Sequence, residues 1–278
     1  MHAIPSAGLS LKPPHFEEAL AAPPGLWFEV HPENYMVEGG PRLAWLDAIR
    51  GRHPLSLHGV GASLAADAEP DPAHLARFAA LAARLEPALV SEHLAWSAWR
   101  GAYRPDLLPF PRTQEALLRI TANVGRLQDA LQRQIAIENP SHYLHLEEHE
   151  YDEIDFLEEL TRRSGCALLL DVNNVYVSAR NLGASAEAYI DAFPAAPITE
   201  IHLAGHSTDP ALGERLLVDS HDAPVAPAVW RLYERLVARI GARPTLIERD
   251  DKLPAFEALL AERAQAEAVL RAGERIAA

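Results

Sequence analysis

Eight short apolar runs recur along the chain, and most of them end in a residue able to bind a metal ion. They cover residues 4–11, 27–31, 54–59, 88–93, 134–139, 167–173, 198–203 and 244–248. Each is of strand length. Ala167-Leu168-Leu169-Leu170 and Ile135-Ala136-Ile137 are apolar on both faces, the pattern of parallel strands packed against helices on one side and a core on the other. Between the runs lie amphipathic stretches. Asp71-Pro72 predicts an N-cap followed by a proline in the first helical turn, and Leu75, Phe78, Ala79, Ala82 and Leu85 then recur at helical spacing. Leu117, Ile120, Val124, Leu127 and Leu131 do the same across 112–133. The stretch 155–163, with Leu157 and Leu160, predicts another helix stopped by Gly165. Stretches 229–240 and 253–270 predict two more. Strands alternating with helices over 278 residues fit an α/β fold, a closed (β/α)8 TIM barrel spanning residues 1–278 as a single domain. An open doubly wound sheet is disfavoured, because Gly8, Gly59 and Gly61 make neither GxGxxG nor a P-loop.

The polar residues are placed as a barrel would need them. The C-terminal strand ends of such a barrel share one mouth. His58, His93, Glu138, Asp171, His202 and Glu248 stand at the ends of six different runs, with Asn173 and Asn174 just beyond Asp171. The second run adds Glu29, His31 and Glu33 at alternating positions. Carboxylates and imidazoles converging on one mouth are costly to bury unless cations compensate them, so bound metal is the expected resolution. Imidazole, carboxylate and amide donors suit iron, manganese or zinc over magnesium. They lack the thiolates of copper(I) or structural zinc sites. Asp219 and His221, two apart in a segment that is not an obvious strand, are expected to fold over the mouth as further ligands. His206 is expected near it.

Other groups have plainer readings. His142, His145 and His149, with Glu147, Glu148 and Glu150, end no strand and read as a solvated loop. His53 and His74 read as surface residues. Trp96, Trp99 and Tyr103 read as loop and core packing, or else as a wall of a substrate pocket. Arg100 and Arg104 beside them read as solvated or as carboxylate-binding. Cys166 is the sole cysteine, which excludes an internal disulfide. It opens a buried run, and with no GxSxG elbow, nucleophilic catalysis has little support. Acidic residues outnumber basic ones by 39 to 25, giving a net charge of −14, which disfavours a nucleic-acid partner. No charged start precedes an apolar run, and no stretch approaches the ~20 apolar residues of a membrane span. A cytoplasmic protein is expected, with no membrane partner.

Together, Ser91-Glu92-His93-Leu94-Ala95-Trp96, Ile137-Glu138-Asn139-Pro140-Ser141, Leu170-Asp171-Val172-Asn173-Asn174-Val175-Tyr176, Ile201-His202-Leu203-Ala204-Gly205-His206, Asp219-Ser220-His221-Asp222 and Ile247-Glu248-Arg249-Asp250 resemble the multinuclear non-haem iron-dependent oxidases. That family was long known only as a domain of unknown function and includes the methanobactin-biosynthesis oxidase. The resemblance runs from Gly8-Leu9 to the last helix. It implies a xylose-isomerase-like barrel holding two or three iron ions per chain, with zinc or manganese as substitutes. It implies an enzyme that uses dioxygen to oxidise cysteine, or another residue, of a ribosomally synthesised precursor peptide. It also implies a small partner protein that presents the peptide. Carried over by motif, the metal ligands are His58, His93, Glu138, Asp171, Asn174, His202, Asp219, His221 and Glu248. Asp250 and His206 match motif positions expected to act in catalysis, beside the ions or facing substrate. Arg249 departs from the family pattern, where an aromatic residue is expected, and the change is expected to alter the charge of the pocket. Two other readings stay open: a redox-neutral multinuclear metallohydrolase or isomerase on the same barrel, and a noncatalytic metal-binding or partner-recruiting protein.

Overall fold

The computed structural model describes residues 6–277. In chain order its elements begin β1 (Ala7–Ser10), α1 (Phe16–Ala21), β2 (Phe28–Val30), α2 (Pro41–Arg50), β3 (Leu55–Gly59), α3 (Pro72–Leu85) and β4 (Leu89–His93). A hairpin of β5 (Trp96–Trp99) and β6 (Ala102–Leu108) follows, then α4 (Gln114–Leu131), β7 (Ala136–Glu138), α5 (Glu153–Ser164) and β8 (Ala167–Asp171). Next come α6 (Val172–Leu182), α7 (Ala186–Ala192), β9 (Ile198–Leu203) and a second hairpin, β10 (Ser207–Asp209) with β11 (Gly213–Val218). The chain ends with α8 (Pro227–Ile240), β12 (Thr245–Ile247) and α9 (Phe256–Ala277).

Strands β1, β2, β3, β4, β7, β8, β9 and β12 close a parallel barrel in that order, with β12 pairing back to β1. Each of the eight apolar runs supplies one barrel strand; positions 4 and 5 of the first run lie outside the described residues. The two-residue period of a strand sorts the side chains. Phe28, Leu57, Val90, Ile137, Leu168, Leu170, Ile201 and Ile247 belong to the main apolar core, together with Leu46, Phe78, Leu117, Phe156 and Leu236 of the helices. The residues that alternate with them face the barrel interior. Of these, Ala136, Ala167 and Leu169 form a small separate apolar cluster. The rest are largely polar, among them Glu29, Ser56, His58, Ser91, Glu138, Asp171, Glu200 and His202, all buried. The barrel lumen is therefore a polar funnel above a small apolar plug.

The helices start and stop for local reasons. Asp71 accepts the Ala73 N–H and Pro72 opens α3; Thr113 accepts the Ala116 N–H to cap α4. Gly165 closes α5 in the left-handed region, at φ 70°. The structure corrects the reading of 167–173 as one strand. Asp171 ends β8 and caps α6 by accepting the Asn174 N–H, so Asn173 and Asn174 lie in the first helical turn. Helices α1, α2, α6 and α7 and both hairpins were not read from the sequence. His53 and His74, expected at the surface, are 2% and 9% exposed. His53 packs edge-on against Phe28, and His74 lies under the loop carrying Glu33, 3.6 Å from its carboxylate. Trp96 and Trp99 pack against each other at a 50° tilt on the first hairpin, while Tyr103 projects from it at 69% exposure. Among the described residues no helix is long and apolar enough to cross a membrane.

Candidate metal centre

Strand register brings the strand-end donors to one level. His93 pairs with Glu138 across β4 and β7, and Asp171 pairs with His202 across β8 and β9. His93 Nδ1 lies 2.9 Å from the Gly59 carbonyl, which can only accept, so Nδ1 carries the proton and Nε2 a lone pair. That Nε2 is 3.2 Å from His58 Nε2, and the two nitrogens lie 3.3 and 3.0 Å from Glu138 Oε2. His58 is turned by a 2.8 Å hydrogen bond between its Nδ1 and Ser91 Oγ. Two imidazole nitrogens crowded around one carboxylate oxygen are spaced as ligands of a shared cation.

The same carboxylates recur in neighbouring groups. Donor atoms of His58, His93 and Glu138 lie within 4.8 Å of one another, as do those of Glu138, Asp171 and His202, and those of Asp171, His221 and Glu248. Glu138 and Asp171 each belong to two of these groups. Glu248 Oε2 faces His202 Nδ1 at 3.2 Å and His221 Nδ1 at 3.3 Å, and His221 Nε2 lies 2.8 Å from Asp219 Oδ1. Asn174 donates through Nδ2 to Glu138 Oε1 and to the Asn139 carbonyl.

Polar atoms at this mouth lack partners. Asp171 Oδ2 and Asn174 Oδ1 are buried without a hydrogen bond. Such orphans are rare and costly in a folded protein, and they are of the right type and placement for metal ligands. Burial pushes His58 and His93 down to about 4, leaving both neutral and able to ligate at pH 7. Burial, then the charge of Glu138, raises Asp171 well above the ordinary aspartate range. Protein charges alone therefore do not let these carboxylates ionise together; cations would.

The remaining predicted residues divide. Asp250 lies on the pocket wall, 3.6 Å from His221 Nδ1 and 2.6 Å from Lys12 Nζ. His206 does not line the pocket. Its Nδ1 hydrogen-bonds Asn173 Oδ1 at 2.8 Å, and Asn173 Nδ2 donates to Asp219 Oδ1 at 2.7 Å, so it reaches the centre only through the Asp219 segment. Arg249 was expected to change the pocket's charge. It is instead 3% exposed and turned outward to Glu262 at 3.2 Å. His142 is not fully solvated as expected: it is 13% exposed and lies 3.1 Å from Glu153. The candidate set omitted Glu29, His31, Glu200 and Lys12. His31 lies 3.7 Å from Glu248 Oε1, and Glu29 groups with His58 and His202. Their signal was the two-residue alternation Glu29/His31 and Glu200/His202; Lys12 carried none.

Above these donors a cavity of about 150 Å³ opens to solvent. Val60, Ala95, Leu107, Pro140 and Ser141 complete its wall. The eight-stranded parallel barrel is a xylose-isomerase-like TIM barrel. Solved structures of that fold align along nearly the whole chain. The IOLI protein with a bound zinc atom aligns at TM-score 0.60 and 12% identity, over 96% of this chain and 98% of that one. Endonuclease IV from Thermus thermophilus aligns at TM-score 0.55 and 19% identity, over 97% and 99%. The chain belongs to the family of RiPP precursor modification enzymes MbnB/TglH/ChrH, whose model matches residues 6–271. A UPF0276 protein of Caulobacter vibrioides is 64% identical over 271 residues, covering 97% of this chain and 96% of the relative. A UPF0276 protein of Rhizobium meliloti is 49% identical over 259 residues, covering 92% and 84%. The family and fold together make the chain a peptide-modifying enzyme on a TIM barrel.

Proposed function

We propose that this chain is a multinuclear non-haem iron-dependent oxidase that uses dioxygen to modify cysteine, or another residue, of a ribosomally synthesised precursor peptide. The observation carrying the reading is the overlap of three donor groups through Glu138 and Asp171, because one cation cannot satisfy them all. His58, His93, Glu138, Asp171, Asn174, His202, Asp219, His221 and Glu248 would hold two or three ions. Imidazole and carboxylate donors suit iron, with zinc or manganese as substitutes. Iron held there supplies Lewis acidity toward the substrate and electron transfer to dioxygen.

The chain's own residues do the rest. Val60, Ala95, Leu107 and Pro140 give the cavity apolar walls that shed water from an entering side chain. At about 150 Å³ the cavity has room for one side chain rather than a folded domain. Asp250, in contact with Lys12 and His221 and about one-third exposed, would orient His221 from the rim of the pocket. Asn173 and His206 brace the Asp219 segment from outside. A small partner protein presenting the peptide, and a cytoplasmic setting, belong to the same proposal.

The test is mass spectrometry of a candidate precursor peptide, encoded beside the gene, after incubation with the iron-loaded protein. A mass change that requires dioxygen supports the oxidase. A change that proceeds equally without dioxygen favours the redox-neutral hydrolase or isomerase and contradicts it.

A further inference from the structure

Three successive backbone N–H groups, those of Val60, Gly61 and Ala62, follow the end of β3 and point at carboxylates of the chain itself. Glu33 Oε1 accepts from Val60 at 3.0 Å and from Gly61 at 2.8 Å, and Glu92 Oε2 accepts from Ala62 at 3.3 Å. Such a run of amides in a turn makes an anion-binding concavity. Here it is filled by one acid from the turn after β2 and one from β4. The other oxygen of Glu92 accepts the His93 N–H at 3.2 Å. The fit around Glu33 is close. A Cβ built on Gly61 would lie 2.9 Å from Glu33 Oε1 and from the His74 ring, so the turn has no room for a side chain there. Neither acid is among the described residues that line the mouth cavity or group around it as metal donors.

What the two acids hold is one wall of that cavity. Val60 lines it, and farther along the same segment the Ala65 N–H donates to the carbonyl of Ala95, a second wall residue. A wall carried by a loop yields to a bulky guest unless the loop is pinned. Hydrogen bonds from amides to a carboxylate are about twice as strong as neutral ones, and two of them converge on a single Glu33 oxygen. We propose that Glu33 is a specificity-determining residue. With Glu92 it pins the 60–62 turn and so fixes the width of the cavity, which admits a slender, unbranched side chain such as that of cysteine and rejects a branched one. Glu33 acts through Val60 and is a positioning residue, not a catalytic one.

The inference rests on the proposed metal centre, where the probes of its test bind, and two readouts separate the two. The first is amide hydrogen exchange, read by NMR on the metal-free protein. The Val60 and Gly61 amides are expected to exchange slowly in the wild type and in Glu33→Gln, whose amide oxygen can still accept. In Glu33→Ala they are expected to exchange at least about 10-fold faster. The second is binding of two thiols to the cobalt-loaded protein under nitrogen, followed by the thiolate-to-cobalt absorption band. The wild type is expected to prefer 2-mercaptoethanol over the branched 2-methylpropane-2-thiol by about 10-fold or more. Glu33→Ala should bring the two within about 2-fold by admitting the branched thiol, and Glu33→Gln should restore the preference. Glu33→Asp, too short to reach both amides, serves if a thermal melt shows that Glu33→Ala does not fold. Unchanged amide exchange in Glu33→Ala overturns the inference. So does a loss of affinity in equal proportion for both thiols, which a merely structural role would give. In either case cobalt binding by the wild type leaves the metal centre standing. A wild type that takes up no cobalt overturns the centre and the specificity role together.

Discussion

Glu138 concentrates the chemistry of the mouth in one side chain. One of its oxygens sits between two histidine nitrogens, the other accepts from Asn174, and the residue is 1% exposed. Glu138→Gln keeps the shape but replaces a charged ligand with an amide. It is expected to lose most of its bound metal, measured by elemental analysis of the folded protein; full loading would remove Glu138 from the ligand set. Proton balance gives a second expectation. Burial holds His58 and His93 at about 4, so these two bind no proton near neutral pH. Burial pulls His202 and His221 down too, but the carboxylates around them together outweigh it, Glu29, Glu200 and Glu248 at His202 and Asp219, Glu248 and Asp250 at His221, raising both well above 6.5. Protons on these two must leave when metal binds, so apparent metal affinity should rise with pH from about 6 to 8. Calorimetry in buffers of different ionisation enthalpy should record net proton release. An affinity flat across that range, with no release, would contradict it.

At the scale of elements, the centre is assembled from strand ends and closed by one loop. Gly205 follows β9, and a Cβ built there collides with the backbone of Ala223. That close approach lets the segment carrying Asp219 and His221 fold against the end of β9. Gly205→Ala must push the segment away, at a cost of about 1–3 kcal/mol for the overpacked contact. Metal content should fall along with stability, because the ligands of that segment move. Equal destabilisation with unchanged metal content would show that the segment is not part of the centre. The element scale is also where the sequence was least legible. Asp171 both ends β8 and caps α6, so an apolar strand pattern runs straight into a helix whose first residues, Val172-Asn173-Asn174, carry no helical signature. The two hairpins follow barrel strands as insertions, with no turn motif strong enough to announce them. Short α1 and α7 offer too few turns for periodicity to register.

Across the whole molecule, the fold was legible because the barrel strands repeat one design: apolar outward residues alternating with inward ones that are small or polar. That alternation also revealed the donors, and His58, Glu138, Asp171, His202 and Glu248 converge as their positions implied. It left the floor of the funnel out of the candidate ligand set, because Glu29 and Glu200 lie two residues before His31 and His202 and end no strand. His53 and His74 were misplaced for a similar reason: local sequence does not show which loops cover a helix or strand end. If the mouth works as proposed, it holds more than one redox-active ion. Counting metals per chain by elemental analysis, after purification under strictly anaerobic conditions, tests this most directly. Two or three irons per folded chain are expected. A single ion, or zinc alone at full occupancy with no iron, would contradict the proposal.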